Sequence, residues 1–181
     1  MSAVNVSFEK LLEYAQRAAA GTDDRTELPS RGKGDWAGLA FRLGQNRLVC
    51  GFDRIIESLQ IPQVTRVPGT KPFVLGLANV RGDLMTVVDL GCFLFGSRTA
   101  PTPRARMLAA SLRGRPVGLV VDEVYGQRNF VTGDATNPEL AEDSPLAGLV
   151  LKLHRSGSET WQEFDLDTLF GAAEFLDGAA A

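Results

Sequence analysis

The chain offers few side chains that commonly do chemistry. Its only histidine, His154, lies in a predicted strand beside a polar turn, whereas a catalytic triad or a metal centre usually draws on histidine. We interpret His154 as a surface residue. Cys50 and Cys92 lie within apolar segments and lack the spacing of metal ligands, so we expect buried small side chains rather than a disulfide or a zinc site. The sequence therefore predicts no catalytic residues, no cofactor and no metal.

Three aspartates occupy positions that have a structural meaning. Asp89 and Asp165 are each followed by leucine and, a few residues later, by Leu-Phe-Gly, which is the pattern of a capped helical turn. Asp122 follows an apolar strand, and we interpret it as a strand-end or turn residue. We do not interpret these carboxylates as acid–base catalysts.

The composition is that of a globular protein. The chain has 181 residues, of which 44% are hydrophobic and 23% are charged, and its formal net charge is −3. The absence of a dense basic cluster argues against nucleic acid as a partner, because such binding needs a basic face. No apolar run approaches the roughly 18 residues of a spanning helix, and the first residues lack a secretory signal. We expect a cytoplasmic protein that does not insert directly into the membrane.

Short strands joined by glycine turns account for most of the chain. The central hairpin is residues 73–90, where two apolar runs flank the turn Arg81-Gly82-Asp83. Three further hairpins are predicted at residues 39–52, 107–124 and 149–164. These signals predict a mainly β fold.

The two halves of the chain resemble each other. Asp89 and Asp165 are 76 residues apart, and the glycines that end the two helical turns, Gly96 and Gly171, are 75 residues apart. The hypothesis is a duplicated unit, although any β-rich chain repeats glycine turns.

The predicted domain organisation has three parts. Residues 1–35 form an amphipathic helix, Ser7 to Ala20, followed by a polar linker. Residues 36–171 form the compact domain, with pseudo-repeated halves at about 36–96 and 105–171. Residues 172–181 form a C-terminal tail, which we expect to be frayed.

An ordered set of motifs resembles the CheW family of chemosensory coupling proteins. The matching segments are residues 47–52, 67–69, 76–82, 87–90, 118–122 and 146–148. The most specific is the turn Asn79-Val80-Arg81-Gly82 followed by Val87-Val88-Asp89-Leu90. Within the family, the chain is most similar to pilus-associated members. It departs from the family pattern at Thr86, where proline is usual, and at Ser58, where an apolar residue usually follows the glutamate.

The resemblance implies a fold and a function. The fold is two small five-stranded antiparallel SH3-like β-barrels that share an apolar core. The function is a non-catalytic adaptor that joins a CheA-type histidine kinase to the cytoplasmic tip of a methyl-accepting chemoreceptor, in a pathway that controls twitching motility by type IV pili.

The family motifs also indicate two binding surfaces. The kinase-binding residues are Ile55, Ile56 and Glu57, and the receptor-binding residues are Asn79, Arg81, Val120 and Val121. Strand alternation implies that at least one of the two isoleucines is buried instead. Arg81 could equally be a solvated turn residue, or one that fixes the hairpin.

Two other classes of function remain open from the sequence. One is a small β-barrel that binds a peptide or nucleic acid outside chemosensory signalling, because such barrels host many functions. The other is an enzyme with an unrecognised site, which would require paired titratable groups in a concave pocket.

Overall fold

The computed structural model describes residues 34–179, which form ten β-strands, three short α-helices and one 3₁₀ helix (Thr132–Asp134). The strands are β1 (Trp36–Leu43), β2 (Asn46–Cys50), β3 (Ile55–Leu59), β4 (Val74–Val80), β5 (Asp83–Asp89), β6 (Arg106–Leu112), β7 (Arg115–Val121), β8 (Glu123–Phe130), β9 (Val150–Ser156) and β10 (Glu159–Phe164). The helices are α1 (Leu90–Phe95), α2 (Leu166–Gly171) and α3 (Ala173–Ala179). The predicted N-terminal helix, and the linker up to residue 33, lie outside the described residues.

All four predicted hairpins are present, as the antiparallel pairs β1–β2, β4–β5, β6–β7 and β9–β10. Two of their turns have the same form. Arg81 and Gly82 at the tip of β4–β5 have φ of 55° and 98°, and Arg113 and Gly114 at the tip of β6–β7 have φ of 48° and 79°. Positive φ at both central residues matches the twist of the flanking strands, which explains the glycine in each turn.

The strands form two five-stranded sheets. Sheet I has the order β3-β6-β7-β5-β4, and sheet II has the order β8-β1-β2-β10-β9. The prediction of a mainly β fold with five strands in each unit is confirmed. The prediction that both units are antiparallel is wrong, because β5 pairs in parallel with β7 and β2 pairs in parallel with β10.

These parallel pairs arise because the two halves of the chain exchange hairpins. The β1–β2 hairpin of the first half joins sheet II, and the β6–β7 hairpin of the second half joins sheet I. Adding five to each strand number of sheet I, and counting on from β10 to β1, gives the strand order of sheet II. The expectation that one unit ends and the other begins near residues 97–104 is therefore wrong, because each sheet contains strands from both halves.

Each sheet also curls so that its two edges meet. Thr65, six residues beyond edge strand β3, exchanges two backbone hydrogen bonds of 2.8 Å with Leu77 on the opposite edge strand β4. Thr136, six residues beyond β8, pairs in the same way with Leu153 on β9. Joining the edges in this way leaves fewer unpaired backbone groups exposed.

Both faces of each sheet are apolar. Along β6, Leu108 and Ala110 belong to a large cluster that joins the two sheets, whereas Met107 and Ala109 belong to a smaller cluster of sheet I residues alone. This alternation follows from the two-residue period of a strand. A third cluster, which includes Trp161, lies on the other face of sheet II. The large cluster is the shared core that holds the sheets together.

Asp89 and Asp165 are helix caps, as predicted, but they differ in what else they hold. Asp89 is buried and accepts hydrogen bonds from the Cys92 N–H at 3.0 Å, the Thr99 N–H at 3.0 Å and the Thr99 hydroxyl at 2.9 Å. Asp165 accepts the N–H of Asp167 at 2.9 Å and the hydroxyl of Thr168. Asp89 therefore anchors the segment between the halves, and Asp165 caps only its own helix.

The expected frayed tail is partly wrong, because helix α3 covers residues 173–179. Phe175 on this helix is fully buried and packs edge-on against Phe93 and at a tilt against Phe170. The short segment has only two large apolar side chains, Phe175 and Leu176, and they are adjacent, so it carries no helical periodicity that the sequence could reveal.

We expect Asp89→Ala to destabilise the fold by about 3 kcal/mol, because it removes a cap and leaves the partly buried N–H groups of Cys92 and Thr99 without an acceptor. Asp165→Ala is the matched control and should cost about 1 kcal/mol, the value of a cap alone. Urea denaturation of the two variants measures the difference. Equal losses would show that Asp89 does not anchor Thr99.

Candidate functional site

The tip of the β4–β5 hairpin presents a positive charge on a fixed turn. Asn79 is exposed, and its side-chain oxygen accepts the Gly82 N–H at 3.0 Å, which closes the turn. Arg81 has positive φ, and 79% of its side chain is exposed. This positive φ is what a two-residue hairpin turn requires of its first central residue.

An ion pair connects this tip to strand β3. The Arg81 guanidinium lies 2.8 Å from the Glu57 carboxylate, whose side chain is largely shielded from solvent. The structure thus brings together two residues that the sequence assigns to different partners. Because Arg81 is so exposed, the pair adds little to stability, and its effect is to orient the guanidinium.

Ile55 and Ile56 have different environments because of a β-bulge. The β3–β6 register shifts between Ile55 and Glu57, which leaves Ile56 unpaired. Ile55 packs against the shared core, whereas Ile56 is 60% exposed. A bulge of this kind redirects a side chain, and here it puts a large apolar group in solvent.

The equivalent bulge in sheet II has a different outcome. It lies in β8 at Tyr125, whose ring packs edge-on against Trp161 at a centroid distance of 5.5 Å. The side chain in the bulge of sheet II therefore has a partner within the protein, and Ile56 in sheet I lacks a comparable one among the described residues.

The Arg81–Glu57 pair also has no counterpart in sheet II. In sheet II, Gly157 in the turn between β9 and β10 takes the position of Arg81, and Gly126, which follows the bulge in β8, takes the position of Glu57. Although the two sheets share a topology, the charged tip and the exposed isoleucine therefore belong to sheet I alone.

A shallow groove runs along the line where β4 meets the segment beyond β3. Its walls are Gln63, Thr65, Leu77, Asn79 and the exposed Leu84. The sequence does not single out Gln63 or Leu84, because the groove depends on the Thr65–Leu77 bridge, which links residues far from any hairpin turn. An exposed leucine one strand away from Asn79 adds an apolar contact beside the charged tip.

Val120 and Val121 lie inside the fold. Val120 is 3% exposed and belongs to the sheet I cluster, and Val121 is 0% exposed and belongs to the shared core. The structure does not bring their side chains to the surface beside Arg81. They lie on β7, the strand next to β5, and pack inside the fold.

The interpretation of His154 as a surface residue is wrong. Its side chain is buried, stacks on Trp36 at a centroid distance of 4.8 Å, and lies 2.7 Å from the Glu163 carboxylate. Burial raises the pKa of the Cys50 thiol to about 12, which keeps it protonated and unreactive. Within residues 34–179, no three metal-binding side chains lie close enough together to hold an ion.

Comparison with known proteins identifies the family. Residues 37–174 match the family model of the CheW-like domain. The chain is 35% identical over 134 residues to protein PilI of Pseudomonas aeruginosa, covering 72% of each chain. It is 29% identical over 119 residues to protein FrzA of Myxococcus xanthus, covering 66% of this chain and 74% of FrzA. The chain belongs to the CheW family.

The CheW fold is also seen in a solved structure. The crystal structure of the scaffolding protein TtCheW from Thermoanaerobacter tengcongensis matches with a TM-score of 0.64 at 20% identity, covering 76% of this chain and 93% of that one. CheW-family proteins are non-catalytic scaffolds that in general bind CheA and chemoreceptors, and they couple the receptors to the kinase. The protein is therefore an adaptor rather than an enzyme. In the described part of the chain, the helices are too short to cross a lipid bilayer.

We expect Ile55→Ala to destabilise the fold by about 2 kcal/mol, because the side chain packs against the shared core. Ile56→Ala should change the free energy of unfolding by no more than about 0.5 kcal/mol, because the bulge holds Ile56 in solvent. Chemical denaturation of both variants tests this. A large cost for Ile56→Ala would mean that Ile56 is part of the core.

Proposed function

We propose that this protein is the coupling adaptor of a chemosensory system that controls twitching motility by type IV pili. The support is membership of the CheW family together with the similarity to PilI over most of both chains. In this role the protein works in the cytoplasm, at receptor arrays that it reaches through its partners. Its function then depends on two surfaces of sheet I.

The proposed kinase surface is the bulge on β3. Ile56 presents an exposed apolar side chain, Ile55 fixes the strand against the core, and Glu57 adds a partly shielded carboxylate. An apolar side chain that a bulge holds in solvent can serve as an anchor at an interface. The partner is the regulatory region of a CheA-type histidine kinase.

The proposed receptor surface is the tip of β4–β5 with the groove beside it. The observation that carries this proposal is the Arg81–Glu57 pair, which directs an exposed guanidinium toward strand β3 and which sheet II lacks. A guanidinium held in this way can bind a carboxylate through two hydrogen bonds. Asn79 fixes the turn, and Val120 and Val121 support the neighbouring strands from inside the fold.

We expect Arg81→Asp to weaken receptor binding by about 2 kcal/mol or more, roughly 30-fold, because it reverses the charge at the interface. The thermal stability should change little, since the site is exposed and aspartate tolerates positive φ. Arg113→Asp is the matched control, with the same turn geometry on another hairpin, and it should bind normally. Binding is measured with a purified receptor tip fragment.

Unchanged receptor affinity of Arg81→Asp would refute the recognition role. A collapsed thermal midpoint would show instead that Arg81 serves the fold. Equal losses in the Arg81→Asp and Arg113→Asp variants would indicate an effect of net charge rather than a specific contact.

We expect Ile56→Ser to weaken binding to the kinase at least tenfold while receptor affinity is retained, because only the bulge on β3 loses its apolar anchor. Leu151→Ser, on β9 of sheet II, is the control for loss of an exposed apolar side chain. Titration calorimetry with the isolated regulatory region of the kinase measures both. Equal kinase affinity for the two variants would place the kinase surface elsewhere.

A further inference from the structure

A short segment of the chain covers the capping residue of α1 in sheet I. After α1 the backbone turns back, and Thr99 donates both its N–H and its hydroxyl to Asp89. The contact is close, because a Cβ on Gly91 would lie 3.1 Å from the Ser97 carbonyl oxygen and 3.2 Å from the Thr99 hydroxyl. Arg98, between them, donates to the Pro72 carbonyl at 2.9 Å. A Ser-Arg-Thr segment therefore fills this place.

The equivalent place in sheet II is not covered by the chain in the same way. Asp165 and Asp167 stand where sheet I has Asp89 and Gly91. Only Ala172 separates α2 from α3, so the chain continues into a helix and does not turn back over Asp165. Within the described residues, the Asp165 carboxylate receives hydrogen bonds only from its own helix, which leaves acceptor capacity on both oxygens.

What remains is an open cleft of about 220 Å³, which we name the α2 cleft. Its apolar wall is formed by Trp36 and by Leu151, which is 49% exposed. Its polar wall includes Asp165, Glu163 and Asp167, and one basic residue, Arg54, lies 2.7 Å from Asp167. Asp53 adds a fourth carboxylate at the rim. Arg54 is shared by Asp167 and Asp53, and Glu163 contacts His154, whereas Asp165 has no basic partner among the described residues. This excess of carboxylates favours a cationic ligand.

We propose that the α2 cleft binds an extended segment of a partner protein that carries a serine or threonine next to a lysine or arginine. The bound segment takes the place that residues 97–99 take in sheet I. Its hydroxyl and one backbone N–H donate to Asp165, its basic side chain lies among the remaining carboxylates, and its apolar atoms contact Leu151. The cleft is too small for a folded domain or a drug-sized molecule.

None of the residues proposed to bind the kinase or the receptor lines the α2 cleft, which lies on sheet II. A partner held there would add a third contact to the adaptor without competing for Arg81 or Ile56.

The test is a nuclear magnetic resonance titration of the full-length protein with a synthetic peptide that has the sequence of residues 96–102. We expect shifts in the Leu151 and Asp165 amides and in the Trp36 indole. Asp165→Asn should weaken peptide binding at least tenfold, and it keeps the helix because asparagine also caps. Glu142→Gln, an exposed acid outside the cleft, should bind normally. A peptide with valine in place of its first threonine should also bind at least tenfold more weakly.

Three results would overturn the proposal. The first is failure of the peptide to bind in the cleft through its threonine, seen either as the absence of shifts in the cleft or as equal affinity for the threonine and valine peptides. The second is shifts at Cys92 and Thr99 instead, which would mean that the peptide displaces the chain's own segment from sheet I. The third is shifts in the cleft that grow with protein concentration without peptide, which would identify a second copy of the chain as the occupant.

Discussion

Strand pairing between the two halves of the chain is the constraint on which the rest of the structure depends. β2 bonds to β10 and β5 bonds to β7, and these parallel pairs join hairpins that come from different halves. Without them, each sheet would separate into a three-stranded and a two-stranded fragment with apolar faces exposed on both sides. The exchange also explains the shared core, because each half has strands in both sheets and cannot be separated from the other.

The same pairing explains what could and could not be predicted from the sequence. The four hairpins and the two aspartate caps depend on residues close together in the chain, and the turn and cap signals were sufficient to locate them. The parallel pairs and the edge-closing Thr65–Leu77 bridge depend on contacts between distant residues, which hairpin signals do not report. The family motifs predict the fold class, but they do not predict the parallel pairs within it.

The candidate site shows the same division at the level of single side chains. The glycine turn predicts that Arg81 is exposed, and the structure agrees. The alternation of β3 predicts that one isoleucine is buried, but only the bulge decides that it is Ile55. Val120 and Val121 sit in a strand that is apolar throughout, and such a strand has no face for solvent because both of its sides are covered. His154 is buried because the Trp36 ring, from a strand distant in the chain, stacks on it, and Glu163 on the neighbouring strand β10 contacts it.

The exchange of hairpins also sets the order in which the protein can fold as it is synthesised. Strands β1 and β2 leave the ribosome first, but their partners β8 and β10 lie near the other end of the chain, and the Asn46 and Gln162 side chains that meet are 116 residues apart. Sheet II therefore cannot assemble until almost the entire chain has been made. Until then the first hairpin has two unpaired edges and an exposed apolar surface. Such surfaces favour aggregation of the nascent protein and binding by chaperones.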